Sequence, residues 1–156
     1  MVNPYTKASK AYQKNNDEAL SPLQIVVELY KGMIRNVRDA KTCWQQGRLD
    51  VMTDHIIKTF NIIEALQANL DIVNGGEDAQ FLNRFYNVVF SALTMATAKV
   101  EPEKEFDDII AYIQQVHDRW YNMAYPNRAA GTEGEMPVGA AQMAAQQAQV
   151  SAAPAE

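Results

Sequence analysis

Four stretches of this chain place apolar residues three and four positions apart, and punctuation marks the ends of each. That spacing makes amphipathic α-helices. No stretch alternates apolar and polar residues for long, and no Asn-Gly turn joins two β-rich runs, so strands and hairpins are excluded. What remains is helix packed on helix.

The first stretch opens at "SPLQ". Ser21 can cap, Pro22 suits the first helical position, and Gln24 completes a capping box. Its stripe is Val26, Tyr30, Met33, Val37, Ala40 and Trp44, and Gly47 ends it. The second helix is expected to start at Asp50 as its cap, to carry Met52, Ile56, Phe60, Ile63, Leu66 and Leu70, and to stop at the "NGGE" of residues 74–77. The third begins with Glu77 and Asp78 in its first turn, which favours its dipole. It carries Leu82, Phe85, Tyr86, Val89, Leu93 and Ala96. Pro102 opens the fourth, with Phe106, Ile109, Ile110, Ile113, Val116 and Trp120 on one face. Short connections make successive helices antiparallel. The expected fold is therefore all-α, an antiparallel up-down four-helix bundle over residues 21–125. A leader of residues 1–20 precedes it, and an Ala/Gln-rich tail of residues 126–156, expected to be disordered, follows.

Composition narrows the function. The length of 156 residues suits one domain, and the net charge of −5 argues against a nucleic-acid grip built on clustered Lys and Arg. There is no apolar signal region and no run long enough to insert in a membrane, and the lone Cys43 fits a reducing compartment. The expected location is the cytoplasm.

Enzyme chemistry finds little support. A di-iron bundle needs Glu-x-x-His pairs, but Met52 stands three before His55 and Gln114 three before His117. Neither His has zinc-like neighbours, and Gly75-Gly76 lacks the context of a phosphate loop, so it reads as a helix-to-helix turn. His117 reads as a solvated residue near a helix end, with adjacent Asp118 pointing elsewhere. No catalytic residue, metal or cofactor is expected, and the chain is read as a non-enzyme.

The helices carry more apolar residues than one stripe requires. The surplus is Ile25 and Leu29 on the first helix, and Ile57, Ile62 and Ile72 on the second. The third adds Phe81, Val88, Phe90 and Met95, and the fourth Tyr112. The third helix is then apolar nearly all round, which points to a groove for a partner helix. Ile25, Leu29, Ile57, Ile62, Phe81, Val88, Met95 and Tyr112 are the candidate groove residues. The leader "NPYTKASKAY" bears Tyr5 and Tyr12 two helical turns apart, an unusual pair of rings for a polar terminus.

These residues resemble the flagellar secretion chaperones, the FliS-type export chaperones for flagellin. The resemblance covers about residues 3–120 and lies in spaced positions. "NPYTKASKAY" resembles the family's Asn-Pro-Tyr opening with a second Tyr downstream. Ser21, Pro22, Leu29, Tyr30 and Gly32 match the start of its first helix. Leu70, Asp71, Gly75, Gly76, Leu82 and Tyr86 match its Gly-Gly turn region, and Trp120 its closing Trp. Lys31 stands where the family often has Asp, and Val88 where a Tyr is common.

The resemblance implies a bundle that binds the C-terminal segment of newly made flagellin in hydrophobic grooves. Such a chaperone prevents premature polymerisation and aids delivery to the flagellar type III export gate. It also implies that the N-terminal segment can cover part of that surface when the chaperone is empty, and Tyr5 and Tyr12 are expected to dock it in the groove as a plug. An adapter for another flagellar export substrate or a regulator such as an anti-sigma factor is the alternative. A metal-dependent bundle enzyme is a third reading, against the missing ligand motif. A monomer or weak homodimer is expected.

Overall fold

The structure, a computed structural model, describes Pro4 and residues 20–129. Among these residues the chain forms α1 (Pro22–Gln45), α2 (Leu49–Ala68), α3 (Gly76–Met95) and α4 (Pro102–Ala124). A 3-10 turn at Ala96–Ala98 and a helical turn at Pro126–Ala129 complete the described elements, with no strand among them. The fold is the expected all-α four-helix bundle.

Local chemistry explains most of the ends. The Ser21 hydroxyl accepts from the Gln24 backbone N–H at 3.3 Å, while Gln24 Oε1 accepts from the Ser21 N–H at 2.9 Å. That reciprocal pair satisfies donors a helix start leaves open. At the other end of α1, Gly47 takes φ +71°. The Gly47 N–H donates to the Trp44 carbonyl and the Arg48 N–H to that of Cys43, at 3.0 and 2.8 Å. This is a Schellman closure, which needs a left-handed residue at the position Gly47 fills.

Two boundaries differ from expectation. Helix α2 begins at Leu49 after Arg48, so Asp50 lies in the first turn and acts on the dipole rather than as the cap. The same helix stops at Ala68, leaving residues 69–75 as a folded turn. There Asp71 organises the chain. Its Oδ1 accepts from the Asn74 N–H at 3.0 Å, and its carbonyl from the Gly75 N–H at 2.8 Å. A Cβ on Gly75 would fall 2.4 Å from that carbonyl oxygen and 2.5 Å from the Ala79 Cβ. Gly76 follows at φ +63°. Both glycines are thus required by the turn, one for space and one for handedness.

Helix α1 runs closest to α2 and α4, whereas α3 keeps its backbone further from its neighbours. Side-chain size sets that distance, because α3 turns Phe81, Leu82, Phe85 and Tyr86 inward. Tyr30, Phe85, Tyr86 and Trp120 meet in the core. Their centroid separations are 6.0 Å for Tyr30–Phe85, 6.3 Å for Tyr30–Tyr86 and 6.4 Å for Tyr30–Trp120. The Tyr30 and Tyr86 hydroxyls hydrogen-bond at 2.8 Å, which settles two polar atoms inside an apolar cluster. Trp44, expected in the core, is only half-buried near the open end of α1.

Candidate functional site

The candidate groove residues do not form one patch; they divide among three helix seams. Ile25, Leu29, Gly32 and Asn36 succeed one another at steps of four and three along α1, so they share a face. His55 Nδ1 lies 3.2 Å from Asn36 Oδ1, so that face meets α2. A Cβ on Gly32 would stand 3.2 Å from Ile62 Cδ1, so the glycine lets the Ile62 side chain close on the α1 backbone. Ile25, Leu29 and Ile62 are half-buried along this first seam.

The second seam joins α2 to α3. Gln67 Nε2 donates to Asn83 Oδ1 at 3.3 Å and to Asn87 Oδ1 at 3.0 Å. Further along, the Phe60 and Phe90 rings lie 4.3 Å apart between centroids. Ile57, three residues before Phe60, extends this apolar surface and is exposed, as is Phe90 at 47%. Phe60, on the core stripe by its spacing, is half-buried: it packs against the core and also borders this surface. Its step of three from Ile57 was the signal.

The third seam joins α3 to α4. Phe81, Phe85, Val88, Ala92 and Met95 follow at steps of four and three, and Phe85 touches the Tyr112 ring at 4.9 Å. Arg119 reaches Asp78 Oδ1 at 3.4 Å and ties the end of the seam. Val88 and Met95 are 44% and 53% exposed, and Tyr112 is half-buried. Phe81 is a correction. Only 5% exposed, it is a core residue, because it sits where α4 presents Val116 and Trp120 across a narrow cleft. That cleft, lined also by Asp78, Leu82 and Arg119, encloses about 10 Å³, room for nothing larger than a water.

The positions that carry the family resemblance have structural reasons to be what they are. Ser21 and Pro22 start α1, Gly32 admits Ile62, and Gly75 and Gly76 make the α2–α3 turn. Leu70 is buried beside that turn, and Tyr30, Tyr86 and Trp120 converge in the core. Leu29 lies on the α1–α2 seam. Lys31 is solvent-facing, and its hydrogen bond to the Glu28 carboxylate at 2.8 Å raises its pKa above the ordinary lysine value.

The α2–α3 turn also holds Pro4. Pro4 is buried, and its carbonyl accepts from the Asp71 N–H at 3.1 Å. Tyr5 and Tyr12 lie outside the described residues. This Pro4 contact had no signal in the sequence beyond the Asn-Pro-Tyr resemblance.

His117 is a second correction. It is buried rather than solvated, and its Nδ1 lies 2.9 Å from Asp118 Oδ1. Gln114 Nε2 sits 2.8 Å from the same carboxylate oxygen and 3.1 Å from Nδ1, so the three side chains form one knot on α4. Asp118 folds back along the helix, which adjacency alone did not reveal. The imidazole faces Tyr121 at 6.0 Å, and its Nε2 is buried without a hydrogen bond. Among the described residues no cluster of three His, Cys, Asp or Glu could hold a metal ion. None of the described helices is long and apolar enough to cross a membrane.

Comparison with known proteins agrees with this geometry. The family model for "Flagellar protein FliS" matches residues 5–127. The flagellar secretion chaperone FliS of Vibrio cholerae is 31% identical over 102 residues, 65% of this chain and 74% of that protein. Its Bacillus subtilis counterpart is 25% identical over 118 residues, 76% of this chain and 84% of the relative. That of Campylobacter jejuni is 25% identical over 113 residues, 72% and 88% respectively. No solved structure matches the chain. Helical bundle, Gly-Gly turn, aromatic core and a match across residues 5–127 lead to one assignment: the chain belongs to the FliS family of flagellar export chaperones, which are not enzymes.

Proposed function

We propose that this chain binds the C-terminal segment of newly made flagellin in the cytoplasm, keeps it from polymerising, and presents it to the flagellar export gate. The observation that carries this reading is the apolar surface flanking α3 on both sides, in a chain of this family. Ile57, Phe60 and Phe90 lie on one side, and Val88 and Met95 on the other. Two apolar strips separated by one helix suit a client that wraps rather than docks flat. A segment that folds as it binds must bury a large area to offset the cost of its ordering. An amphipathic helix laid in each seam provides that area.

The leader competes for this surface. The bond from the Asp71 N–H to the Pro4 carbonyl supports this reading, and Tyr5 and Tyr12 supply the rings to cover the surface. Each aromatic ring contributes roughly 1.5–3 kcal/mol on burial before ordering costs are deducted, which makes a plug that a longer segment can displace. The test is calorimetric titration of the full chain with the C-terminal segment of flagellin from the same organism. Saturable binding at micromolar concentrations, tightened by deleting residues 1–20, is the expected result. No binding at these concentrations defeats the proposal. An anti-sigma factor or another export substrate bound in its place, in a pull-down from motile cells, would assign the chain to a different client.

A further inference from the structure

The seam between α2 and α3 changes character along its length. Toward the start of α2, the Phe60 and Phe90 rings meet at 4.3 Å, and Ile57 and Phe90 are exposed. Toward its end, Gln67 Nε2 donates to Asn83 Oδ1 at 3.3 Å and to Asn87 Oδ1 at 3.0 Å. Phe60 stands seven residues before Gln67, and Phe90 seven after Asn83 on the antiparallel α3, so the two zones lie about 10 Å apart on both walls. Asn87 is exposed, and Gln67 and Asn83 are half-buried, so a helix laid along the seam meets both zones. Gln67 commits its two Nε2 hydrogens within the cluster. What the cluster can still offer a ligand is an acceptor at Gln67 Oε1 and donors at the Nδ2 of Asn83 and Asn87.

We propose, on the reading that flagellin's C-terminal segment is the client, that this two-zone seam sets which way round a client helix lies. Apolar side chains of the client fill the Ile57–Phe60–Phe90 zone, and a neutral side chain of the Asn, Gln, Ser or Thr class meets the amides about two turns away. A carboxylate only accepts and an ammonium only donates, so neither answers a cluster that offers both kinds of group. Laid in reverse, the same helix puts apolar side chains over the amides, strips them of water and returns no hydrogen bond. A uniformly apolar groove exacts no such penalty. Gln67, Asn83 and Asn87 therefore act as specificity determinants, and the aromatic zone as the anchor.

Asn87→Leu in the full-length chain tests the sign of the effect. The position is exposed, so the thermal midpoint should stay within about 4 °C of wild type. The calorimetric affinity for the flagellin C-terminal segment should fall about three- to tenfold, although apolar surface has been added. A groove that reads only apolar area would instead bind more tightly. Leucine replacement of each neutral polar residue of the segment in turn should find one that weakens wild-type binding and leaves Asn87→Leu binding unchanged. Photocross-linking from Ile57→p-benzoylphenylalanine should then capture the segment on one side of that residue only. An unchanged or raised affinity, a midpoint lowered beyond that range, the absence of a coupled residue, or capture on both sides of it overturns the inference. Failure of the wild-type chain to bind the segment is a separate result, which defeats the functional reading before any variant is made.

Discussion

The hydroxyls of Tyr30 and Tyr86 meet at 2.8 Å in the middle of the bundle, although 56 positions separate them in the chain. The bond ties α1 to α3, the helix that stands furthest from its neighbours. Tyr30→Phe and Tyr86→Phe should each cost about 1 kcal/mol in urea unfolding. The double variant should cost less than the sum, because the shared bond is lost only once. Full additivity would show that the two hydroxyls do not stabilise the fold through each other.

Gly75→Ala should be the most damaging of the turn substitutions. Its Cβ would meet the Asp71 carbonyl and Ala79, and the backbone must move to relieve both. A loss of about 2–3 kcal/mol is expected, at the upper end of single-site effects. Gly76→Ala meets no neighbour but forces φ +63° on a residue with a Cβ, for about 1–2 kcal/mol. Gly76→Asn should recover part of that loss, since Asn tolerates the left-handed region. Thermal unfolding of the three variants provides the ranking.

Core and surface apolar residues should separate cleanly. Phe81→Ala empties a packed position and should cost about 3–5 kcal/mol of stability. Val88→Asp and Met95→Asp change exposed positions and should shift stability by no more than about 0.5 kcal/mol. Both should weaken binding of the flagellin segment at least tenfold, as charge enters the apolar strip. Circular dichroism melts paired with titration distinguish the two classes; loss of stability in the Asp variants would move those residues out of the client surface.

Ser21→Ala removes the side-chain half of the capping box and should cost about 1 kcal/mol. Gln24→Ala should cost less, since the Ser21 N–H it satisfies is exposed. The two effects should not add fully, because the bonds are reciprocal. Helix α1 amides near Pro22 would report the change by faster hydrogen exchange.

Features encoded within a few residues were legible in the sequence. Ser21, Pro22 and Gln24 announce the start of α1, Gly47 its end, and the 3.6-residue period the bundle itself. Features set by a neighbouring helix were not. Phe81 and Val88 occupy the same face of α3, and only the course of α4 decides that one is core and the other surface. Phe60 is shared between core and surface for the same reason, its ring meeting Phe90 across the α2–α3 seam. His117 and Asp118 point apart by helical geometry, and the side-chain torsions that reunite them lie below the resolution of spacing rules. The α2 start was displaced because the Arg48 N–H is taken by the Cys43 carbonyl, which fixes the chain's exit from α1.

The bond from the Asp71 N–H to the Pro4 carbonyl fixes Pro4 on the α2–α3 turn, and the plug proposed for the leader would act from that point. A segment tethered beside its site competes at an effective concentration on the order of millimolar, whatever the concentration of the protein. A flagellin segment that displaces it should therefore show an apparent affinity weakened by a fixed factor, unchanged across a dilution series. A surface covered by a second copy of the chain would behave differently, since dilution alone would free it. The concentration dependence of client binding thus tells whether the chaperone guards its surface by itself or in pairs.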